Sequence, residues 1–358
     1  MKIVTVVGAR PQFIKAAVVS RAIQKRNTIK EEIIHTGQHY DTNMSEIFFE
    51  EMQIPKPAYN LAVKEALHGA MTAKMLTGIE ELLLKEIPDM VMIYGDTNST
   101  LAASLAASKL HIPVAHVEAG LRSYNMFMPE EINRILADNV STYLFCPTQQ
   151  AVDNLKQEGF MRAFHNVHLT GDVMFDATLY YFKQSNDEII KRLNLQHQQF
   201  ILATIHRAEN TDNIQNLTSI VEALNILHKQ YHVIVPLHPR TKKLINQLTN
   251  KPAFTIIEPV GYLDMLQLLH RCSLVITDSG GLQKEAYFFK KFCVVLREQT
   301  EWVELRNNGF SDLAGSDTKK ITNIANAFLQ SSFIDKEGLY GDGRAGEKIT
   351  DILEQHTT

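Results

Sequence analysis

The chain has 358 residues, more than one hydrophobic core usually organises, so we expect two domains. A composition of 45% hydrophobic and 21% charged residues excludes a largely disordered or low-complexity protein, and a formal net charge of -4 excludes the basic surface typical of nucleic-acid binding. No apolar run approaches the roughly 20 residues that span a bilayer, and the first residues lack a signal-peptide pattern, so a cytoplasmic protein is expected.

Strand-like apolar runs alternate with helix-length amphipathic segments along the whole chain. In chain order the strand-like runs are KIVTVVG, EEIIHT, DMVMIYG, IPVAHVE, TYLFC and NVHLTG, and then QFILATIH, YHVIVPLH, FTIIEP, SLVITDSG and FCVVLRE. This alternation predicts an α/β protein whose parallel sheets are covered by helices on both faces. A polar stretch after NVHLTG marks a boundary, so we place two doubly wound domains at residues 1–172 and 173–338. A ligand cleft is expected between the carboxyl ends of their sheets.

The first strand-like run is followed at once by a turn that carries two cations. Gly8, Arg10, Pro11 and Lys15 lie in this turn, and Pro11 suits the first position of a helix. A helix that begins here would point unpaired amide groups at the turn beside Arg10 and Lys15, which predicts an anion site. The turn matches neither GxxxxGK[ST] nor GxGxxG. The alternative is that both cations are ordinary surface charges.

Acidic residues accompany the next buried strands. Asp96 lies between DMVMIYG and a helical pattern, where it could also serve simply as the helix N-cap. His116, Glu118 and Arg122 fall on the strand IPVAHVE and its exit, and a glutamate in an apolar strand is costly to bury unless it is paired or functional. His116 lacks partners at convincing metal-ligand spacing, so no metal site is expected.

The stretch MPEEINR begins the following helix. Glu130 and Arg134 have the i,i+4 spacing of a surface ion pair, whereas Glu131 lies on another part of the helix. Asp96, Glu118 and Glu131 therefore form a candidate trio of carboxylates in the first domain. Clustered acids perturb one another's pKa values, which suits proton transfer to and from carbon.

Two further pairs of cations follow strands in the second half of the chain. TIHRAEN places His206 and Arg207 at the end of a strand, where they could meet a phosphate. PLHPR repeats a histidine before an arginine at His238 and Arg240, for which a structural role is an equal alternative.

The strongest nucleotide-binding element is VITDSGGLQKEA. Ser279, Gly280 and Gly281 follow a strand and open a helix, so the backbone can approach a phosphate closely at the helix N-terminus. Glu285 lies further along this helix, where a carboxylate can hold ribose hydroxyls. The combination predicts a nucleotide diphosphate as the ligand.

Seven motifs occur in a fixed order along nearly the whole chain: GARPQFIKAA, TGQHY, YGDTNST, HVEAGLRS, MPEEINR, TIHRAEN and DSGGLQKEA. Together they resemble the non-hydrolysing UDP-N-acetylglucosamine 2-epimerases. The resemblance implies two Rossmann-like domains of the glycosyltransferase-B type, with UDP held mainly by the second. It also implies that residues 339–358 contain a last helix that crosses back to the first domain.

The family's reaction would account for these residue types. UDP is expelled while a base removes the hydrogen of carbon 2, and UDP then adds back to the resulting 2-acetamidoglycal as a proton arrives on the other face. The resemblance implies no cofactor and no metal. It implies a UDP-N-acetylhexosamine substrate, a homodimer without nucleic-acid or membrane partners, and a product used for a bacterial surface polysaccharide.

The resemblance assigns roles by motif and leaves open which carboxylate acts on which face of the sugar. The implied catalytic residues are Lys15, Asp96, Glu118, Glu131 and His206. The implied UDP- or substrate-binding residues are Arg10, Arg134, Arg207, Ser279, Gly280, Gly281 and Glu285.

The sequence departs from the family's usual motifs at several positions. Gln12 and Lys284 each stand where a glutamate is usual, and Trp302 replaces an arginine expected close to the ligand. Such variants resemble a branch that acts on UDP-2,3-diacetamido-2,3-dideoxyglucuronate, which is the alternative substrate. Three other interpretations remain: a hydrolysing epimerase, a glycosyltransferase of the same fold, which would not need the carboxylate trio, and a UDP-sugar sensor without turnover.

Overall fold

A computed structural model describes residues 1–37, 55–161 and 164–355, without the side chain of Arg10. The last three residues of the motif TGQHY, and any role of the Arg10 side chain, lie outside what is described. The chain divides into two compact units, Met1–Leu179 with Glu337–Thr358, and Tyr180–Lys336. Each unit contains a parallel sheet combined with helices, which confirms the predicted α/β class.

The first unit is built on a parallel sheet. Its strands are β1 (Lys2–Val7), β2 (Lys30–His35), β3 (Tyr59–Asn60), β4 (Met90–Tyr94), β5 (Val114–Val117), β6 (Tyr143–Cys146) and β7 (Asn166–Leu169). Their order across the sheet is β3-β2-β1-β4-β5-β6-β7. The helices of this part of the chain are α1 (Arg10–Gln24), α2 (His68–Glu86), α3 (Asn98–Lys109), α4 (Pro129–Val140), α5 (Gln149–Gln157) and α6 (Val173–Phe182).

The second unit repeats the architecture. Its strands are β8 (Phe200–Thr204), β9 (His232–Pro236), β10 (Thr255–Ile257), β11 (Leu274–Thr277), β12 (Cys293–Val295) and β13 (Ser311–Leu313), in the order β10-β9-β8-β11-β12-β13. Its helices are α7 (Glu188–Arg192), α8 (Ala208–Thr211), α9 (Ile214–His228), α10 (Pro239–Ile245), α11 (Tyr262–Arg271), α12 (Gly280–Phe288), α13 (Val303–Asn307) and α14 (Thr318–Gln330).

The central strands of both sheets are buried along their whole length. Every residue of β4 and of β8 is buried, as expected for parallel strands covered by helices on both faces. Helix α3 presents fully buried alanines, among them Ala102, Ala103 and Ala106, to the strands and to its neighbours α2 and α4. Such small side chains let the helices approach closely.

In each sheet the strand order reverses beside the first strand. The chain runs outwards from β1 to β3 and then returns to place β4 on the other side of β1. In the second unit β8 and β11 are related in the same way. Open α/β sheets bind ligands outside the carboxyl ends of strands at such switch points. The predicted motifs after β1, β4, β8 and β11 therefore lie where this rule expects a site.

The last helix, α15 (Ala345–Gln355), belongs to the first unit and packs on α1. Asp176 on α6 accepts a hydrogen bond from the backbone N–H of Gly346 (2.9 Å) at the start of this helix. Further along, Arg26 pairs with Asp351. These contacts hold α15 against the first unit.

Candidate active site

The side chain of Gln12 pairs two backbone amides in the turn after β1. Gln12 Oε1 accepts from the backbone N–H groups of Gly8 (2.8 Å) and Ala9 (3.0 Å), and Gln12 Nε2 donates to the carbonyl of Tyr94 (2.8 Å) and to Thr100 Oγ1 (3.0 Å). Gly8 and Ala9 precede α1, so the predicted anion site at the amides of the helix N-terminus stays a prediction. Buried Gln12 ties the end of β1 to the end of β4.

Lys15 and Glu118 form a buried ion pair at the ends of β1 and β5. Lys15 Nζ donates to Glu118 Oε1 at 2.5 Å, and the two side chains are 11% and 7% exposed. Glu118 has a φ of +72°, a left-handed conformation that costs about 1–3 kcal/mol outside glycine. A Cβ on Gly95, at the end of β4, would lie 3.2 Å from Lys15 Nζ and 3.4 Å from Glu118 Oε1. Strain and close approach thus coincide at this ion pair, as they do at many functional sites.

Arg134 joins the other two predicted carboxylates. Its Nη2 donates to Asp96, and its Nη1 donates to Glu131 Oε2 at 2.8 Å. The N-cap alternative for Asp96 is wrong, because the hydroxyl of Thr97 caps α3 by accepting from the N–H of Thr100. The side chain of Asp96 is 28% exposed, so this carboxylate is held by a cation and still reaches solvent.

Glu131 is the most enclosed member of the trio. Besides the bond from Arg134, it accepts from the backbone N–H (2.9 and 3.1 Å) and hydroxyl (2.9 Å) of Ser123 and from the N–H of Tyr124 (2.8 Å), and it has no exposed surface. Its carboxylate therefore fixes the loop before α4 and the guanidinium of Arg134. Asp96 and Glu118 are the members of the trio with exposed surface.

In the second unit, Asp278 orients His206. Asp278 follows β11 and pairs with His206 Nδ1 at 2.9 Å, and it also accepts from the backbone N–H of Arg207 and the amide of Asn210. Burial alone raises the pKa of Asp278, but the hydrogen bond and charge of His206 outweigh it, so the pKa is lowered. An ionised Asp278 keeps a proton on His206 Nδ1 and leaves Nε2 of the half-exposed ring for other contacts.

The turn into α12 has the shape of an anion site. Ser279 is the N-cap, its hydroxyl accepting from the N–H of Leu282, and the first amides of α12 have no intrahelical partner. A Cβ on Gly280 would lie 2.3 Å from Glu301 Oε1, whereas a Cβ on Gly281 would meet nothing within 4 Å. Gly280 therefore makes room for Glu301, and open space lies before Gly281.

Two residues that depart from the family's usual motifs, Lys284 and Trp302, contact each other beside this turn. Lys284 Nζ lies over the Trp302 ring, 4.0 Å from its centroid, and both side chains are buried. A cation over an indole face is an attractive pair in a desolvated place. Trp302 also reaches the turn, because its Nε1 is 3.7 Å from the position of a Cβ on Gly280. Glu285, on the same helix as Lys284, is buried too.

His238 and Arg240 form local structure instead of a site. His238 Nδ1 caps α10 by accepting from the N–H of Arg240 (3.4 Å), and Arg240 makes an exposed ion pair with Asp212 (2.6 Å).

Three residues to which the sequence assigned no role hold neighbouring residues of the candidate site in place. They are Gln12, Asn210 and Asp278. Asp278 directly follows a strand within the motif DSGGLQKEA, and this position could have identified it as a site residue.

Within residues 1–37, 55–161 and 164–355, no cluster of three or more His, Cys, Asp or Glu side chains is arranged to hold a metal ion. In the same ranges, no helix combines the length and apolar character needed to cross a membrane. Cys146, Cys272 and Cys293 are buried and not disulfide-bonded.

Comparison with known proteins relates the chain to one family along nearly its whole length. The family model described as UDP-N-acetylglucosamine 2-epimerase matches residues 21–354. A UDP-2,3-diacetamido-2,3-dideoxy-D-glucuronate 2-epimerase of Pseudomonas aeruginosa is 55% identical over 355 residues, 99% of each chain. A UDP-N-acetylglucosamine 2-epimerase homolog of Methanococcus maripaludis is 49% identical over 99% of each chain.

A solved structure has the same fold. The UDP-GlcNAc 2-epimerase of Methanocaldococcus jannaschii, crystallised with UDP-GlcNAc and UDP, superposes with a TM-score of 0.91 at 43% identity, over 99% of this chain and 100% of that one. Together with the family match, this identity over full length establishes the relationship suggested by the motifs. The chain belongs to the UDP-N-acetylglucosamine 2-epimerase family, whose members are isomerases that act on UDP-sugars.

Proposed function

We propose that this chain inverts carbon 2 of UDP-N-acetylglucosamine by eliminating UDP and adding it back. The observation that carries the proposal is the cluster at the carboxyl ends of β1, β4 and β5. There the Lys15–Glu118 pair adjoins Gly95, and the next residue, Asp96, is held by Arg134. Two carboxylates, each placed by its own cation, are suited to taking a proton from carbon and returning one.

In the first half of the reaction, the C2–H bond breaks and its proton passes to a carboxylate while the bond from C1 to the UDP oxygen breaks. This step leaves a 2-acetamidoglycal and UDP. In the second half, a UDP oxygen bonds to C1 again while a proton is added to the opposite face of C2. Asp96 and Glu118 are the proposed acid–base groups, because their carboxylates are less enclosed than that of Glu131.

Cations and amides assist the departure of UDP, because the leaving diphosphate gains negative charge. We assign this role to Lys15 and Arg10 in the first unit, and to His206, Arg207 and the Ser279–Gly281 turn in the second. His206 suits the role because Asp278 fixes its ring. Glu285 is assigned to the ribose hydroxyls, and Glu131 and Arg134 to holding the acid–base groups in place.

The diacetamido glucuronate is a second candidate substrate. It is supported by the 55% identity to the Pseudomonas enzyme and by the Lys284–Trp302 contact, which stands where the family's usual sequences have a glutamate and an arginine. A changed pair beside the nucleotide turn could serve a changed sugar. Both candidates undergo the same chemistry at carbon 2.

Proton NMR of the purified protein with UDP-GlcNAc in heavy water tests the proposal, with the UDP-diacetamido glucuronate run in parallel. The expected result is a manno-configured UDP-sugar that carries deuterium at carbon 2. The higher kcat/KM of the two identifies the substrate. Free sugar with UDP would instead indicate a hydrolysing enzyme, and an unchanged spectrum with both sugars would contradict the proposal.

The proposal also includes a homodimer that acts in the cytoplasm, without a cofactor or nucleic-acid partner, and supplies a surface polysaccharide. This part rests on the resemblance of the motifs. Light scattering after size-exclusion chromatography would give twice the chain mass for a dimer. A single-chain mass would contradict it.

A further inference from the structure

His116, which is not assigned a role by the proposed reaction, lies between two hydrogen-bond acceptors. Its Nδ1 is 2.7 Å from Asp138 Oδ1, and its Nε2 is 2.7 Å from the carbonyl oxygen of Gly95. Both His116 and Asp138 have no exposed surface. The imidazole is therefore fixed at both nitrogens within the core of the first unit.

The carbonyl partner determines the proton on Nε2. A carbonyl oxygen can only accept, so Nε2 of His116 must carry a proton. Asp138 Oδ2 already accepts from Arg122 Nη1 (2.7 Å) and from the N–H of Gly120 (3.1 Å), as an ionised carboxylate would. Nδ1 of His116 therefore faces a carboxylate that a guanidinium and a backbone amide also hold.

Charged side chains continue the contacts of His116 through Asp138. Asp138 lies on α4, and Arg122 follows β5 and donates from Nε and Nη2 to Glu158, each at 2.7 Å. Cys146, at the end of β6, is a further titratable group near Asp138. His116, Asp138, Arg122 and Glu158 thus form one hydrogen-bonded network.

The network ends at both turns that carry acid–base groups. His116 Nε2 holds the carbonyl of Gly95, which immediately precedes Asp96 and has a φ of +61°. Asp138 Oδ2 holds the N–H of Gly120, two residues after Glu118, at a φ of +80°. One buried ion network therefore fixes the backbone beside Asp96 and beside Glu118.

We propose that His116 is a positioning residue, whose Nε2 bond to Gly95 sets the placement of Asp96 against the Lys15–Glu118 pair. The inference rests on the proposed function for its effect on turnover. It does not rest on that function for the bond between His116 and Gly95. A misplacement of about 1 Å can cost roughly 100-fold in rate, so the loss of this bond should act mainly on kcat.

Two uncharged substitutions separate the two bonds. In His116→Gln the amide nitrogen can take the place of Nε2 and still donate to Gly95, whereas in His116→Asn it can take the place of Nδ1 and donate only to Asp138. We expect kcat to fall by about 100-fold in H116N and by less than about 5-fold in H116Q, with KM within about threefold in both. The matched control is His165→Asn, a half-buried histidine of the same unit that contacts the carbonyl of Ser141.

NMR of the wild-type protein with ¹⁵N-labelled histidine tests the Nε2 bond without depending on activity. The Nε2–H of His116 should give a proton signal that exchanges slowly with solvent, because the ring is buried and donates to the carbonyl of Gly95. The signal is assigned by its absence in either variant. An Nε2 without a proton, equal losses of kcat in the two variants, or an effect mainly on KM would each overturn the proposal. If the wild type does not epimerise, the proposed function fails while the NMR result still decides whether the bond to Gly95 is made.

Discussion

Single backbone positions decide how the turn into α12, the proposed nucleotide site, is built. The turn into α12 contains two adjacent glycines with different surroundings, because Glu301 occupies the space beside Gly280 and nothing occupies the space beside Gly281. Glu301 is itself held by Arg297 Nη1 through Oε2 at 3.0 Å, so a shift of its side chain would disturb that bond. The two glycines therefore serve different purposes.

Gly280→Ala and Gly281→Ala should separate packing from binding. The first substitution forces Glu301 to shift and should lower stability by about 1–3 kcal/mol. The second should leave stability unchanged or raise it by up to about 1 kcal/mol, because alanine favours a helix, yet weaken UDP binding about tenfold if phosphate uses the open space. Thermal unfolding and calorimetric titration with UDP measure the two effects. Unchanged UDP affinity in G281A would contradict the assignment of this turn.

The roles of two single residues, Asp96 and Gln12, could not be decided from the sequence. From the sequence, Asp96 is consistent with a helix cap and with a functional carboxylate, because both roles occur directly after a strand. The structure separates them through the neighbouring Thr97, whose hydroxyl takes the cap. The sequence shows Gln12 only as a departure from a motif. Its role in joining two strand ends could not be predicted, because its bond to the carbonyl of Tyr94 connects residues far apart in sequence.

At the scale of elements, the alternation of strands and helices predicted the fold class and the positions of the strand ends. It could not predict strand order. His206 and Asp278 meet because β8 and β11 are neighbours, paired through Thr204 and Thr277, and that pairing depends on how the whole sheet winds. The same holds for Asp96 beside the Lys15–Glu118 pair, which requires β4 to lie between β1 and β5.

A buried carboxylate, Asp176 of α6, contacts the start of the last helix, α15. Asp176 accepts from the N–H of Gly346, but burial, together with nearby Asp172 and Asp342, raises its pKa to about 6. The unfolded chain has an aspartate pKa near 3.9. Because the folded value is the higher one, the neutral form is favoured by folding. The protein therefore loses stability as the pH rises from about 4 to about 6, and this loss persists at higher pH.

Asp176→Asn should stabilise the protein above pH 6. Asparagine keeps an oxygen for the N–H of Gly346 and removes the buried charge, so we expect a gain of about 2 kcal/mol near pH 8 and little change near pH 4. Denaturant unfolding at both pH values measures the difference. Asp317→Asn, at the exposed N-cap of α14, is the control for loss of a cap charge and should give no gain. Equal effects of D176N at both pH values would contradict the role of the buried charge.

In the proposed function, the two units have different roles. The acid–base candidates Asp96 and Glu118 belong to the first unit, whereas His206 and the turn into α12, which are proposed to bind UDP, belong to the second. The effects of substitution on binding and on turnover should be separable, because each unit has its own core and its own buried ion pairs.

Glu118→Gln is the sharpest test of this division. The glutamine amide has the shape of the carboxylate, but it can neither take the proton from C2 nor neutralise the charge of Lys15. Turnover should therefore fall by about 100- to 10,000-fold. UDP affinity should stay within about threefold of wild type, because the proposed UDP contacts lie mainly in the second unit. Glu65→Gln, which removes a carboxylate from an exposed pair with Lys74 in the same unit, should keep wild-type turnover. Deuterium exchange at C2 and calorimetry with UDP measure the two quantities on the same preparation. A variant that lost UDP affinity in proportion to turnover would mean that Glu118 supports the nucleotide site, and the acid–base role would then fall to Asp96.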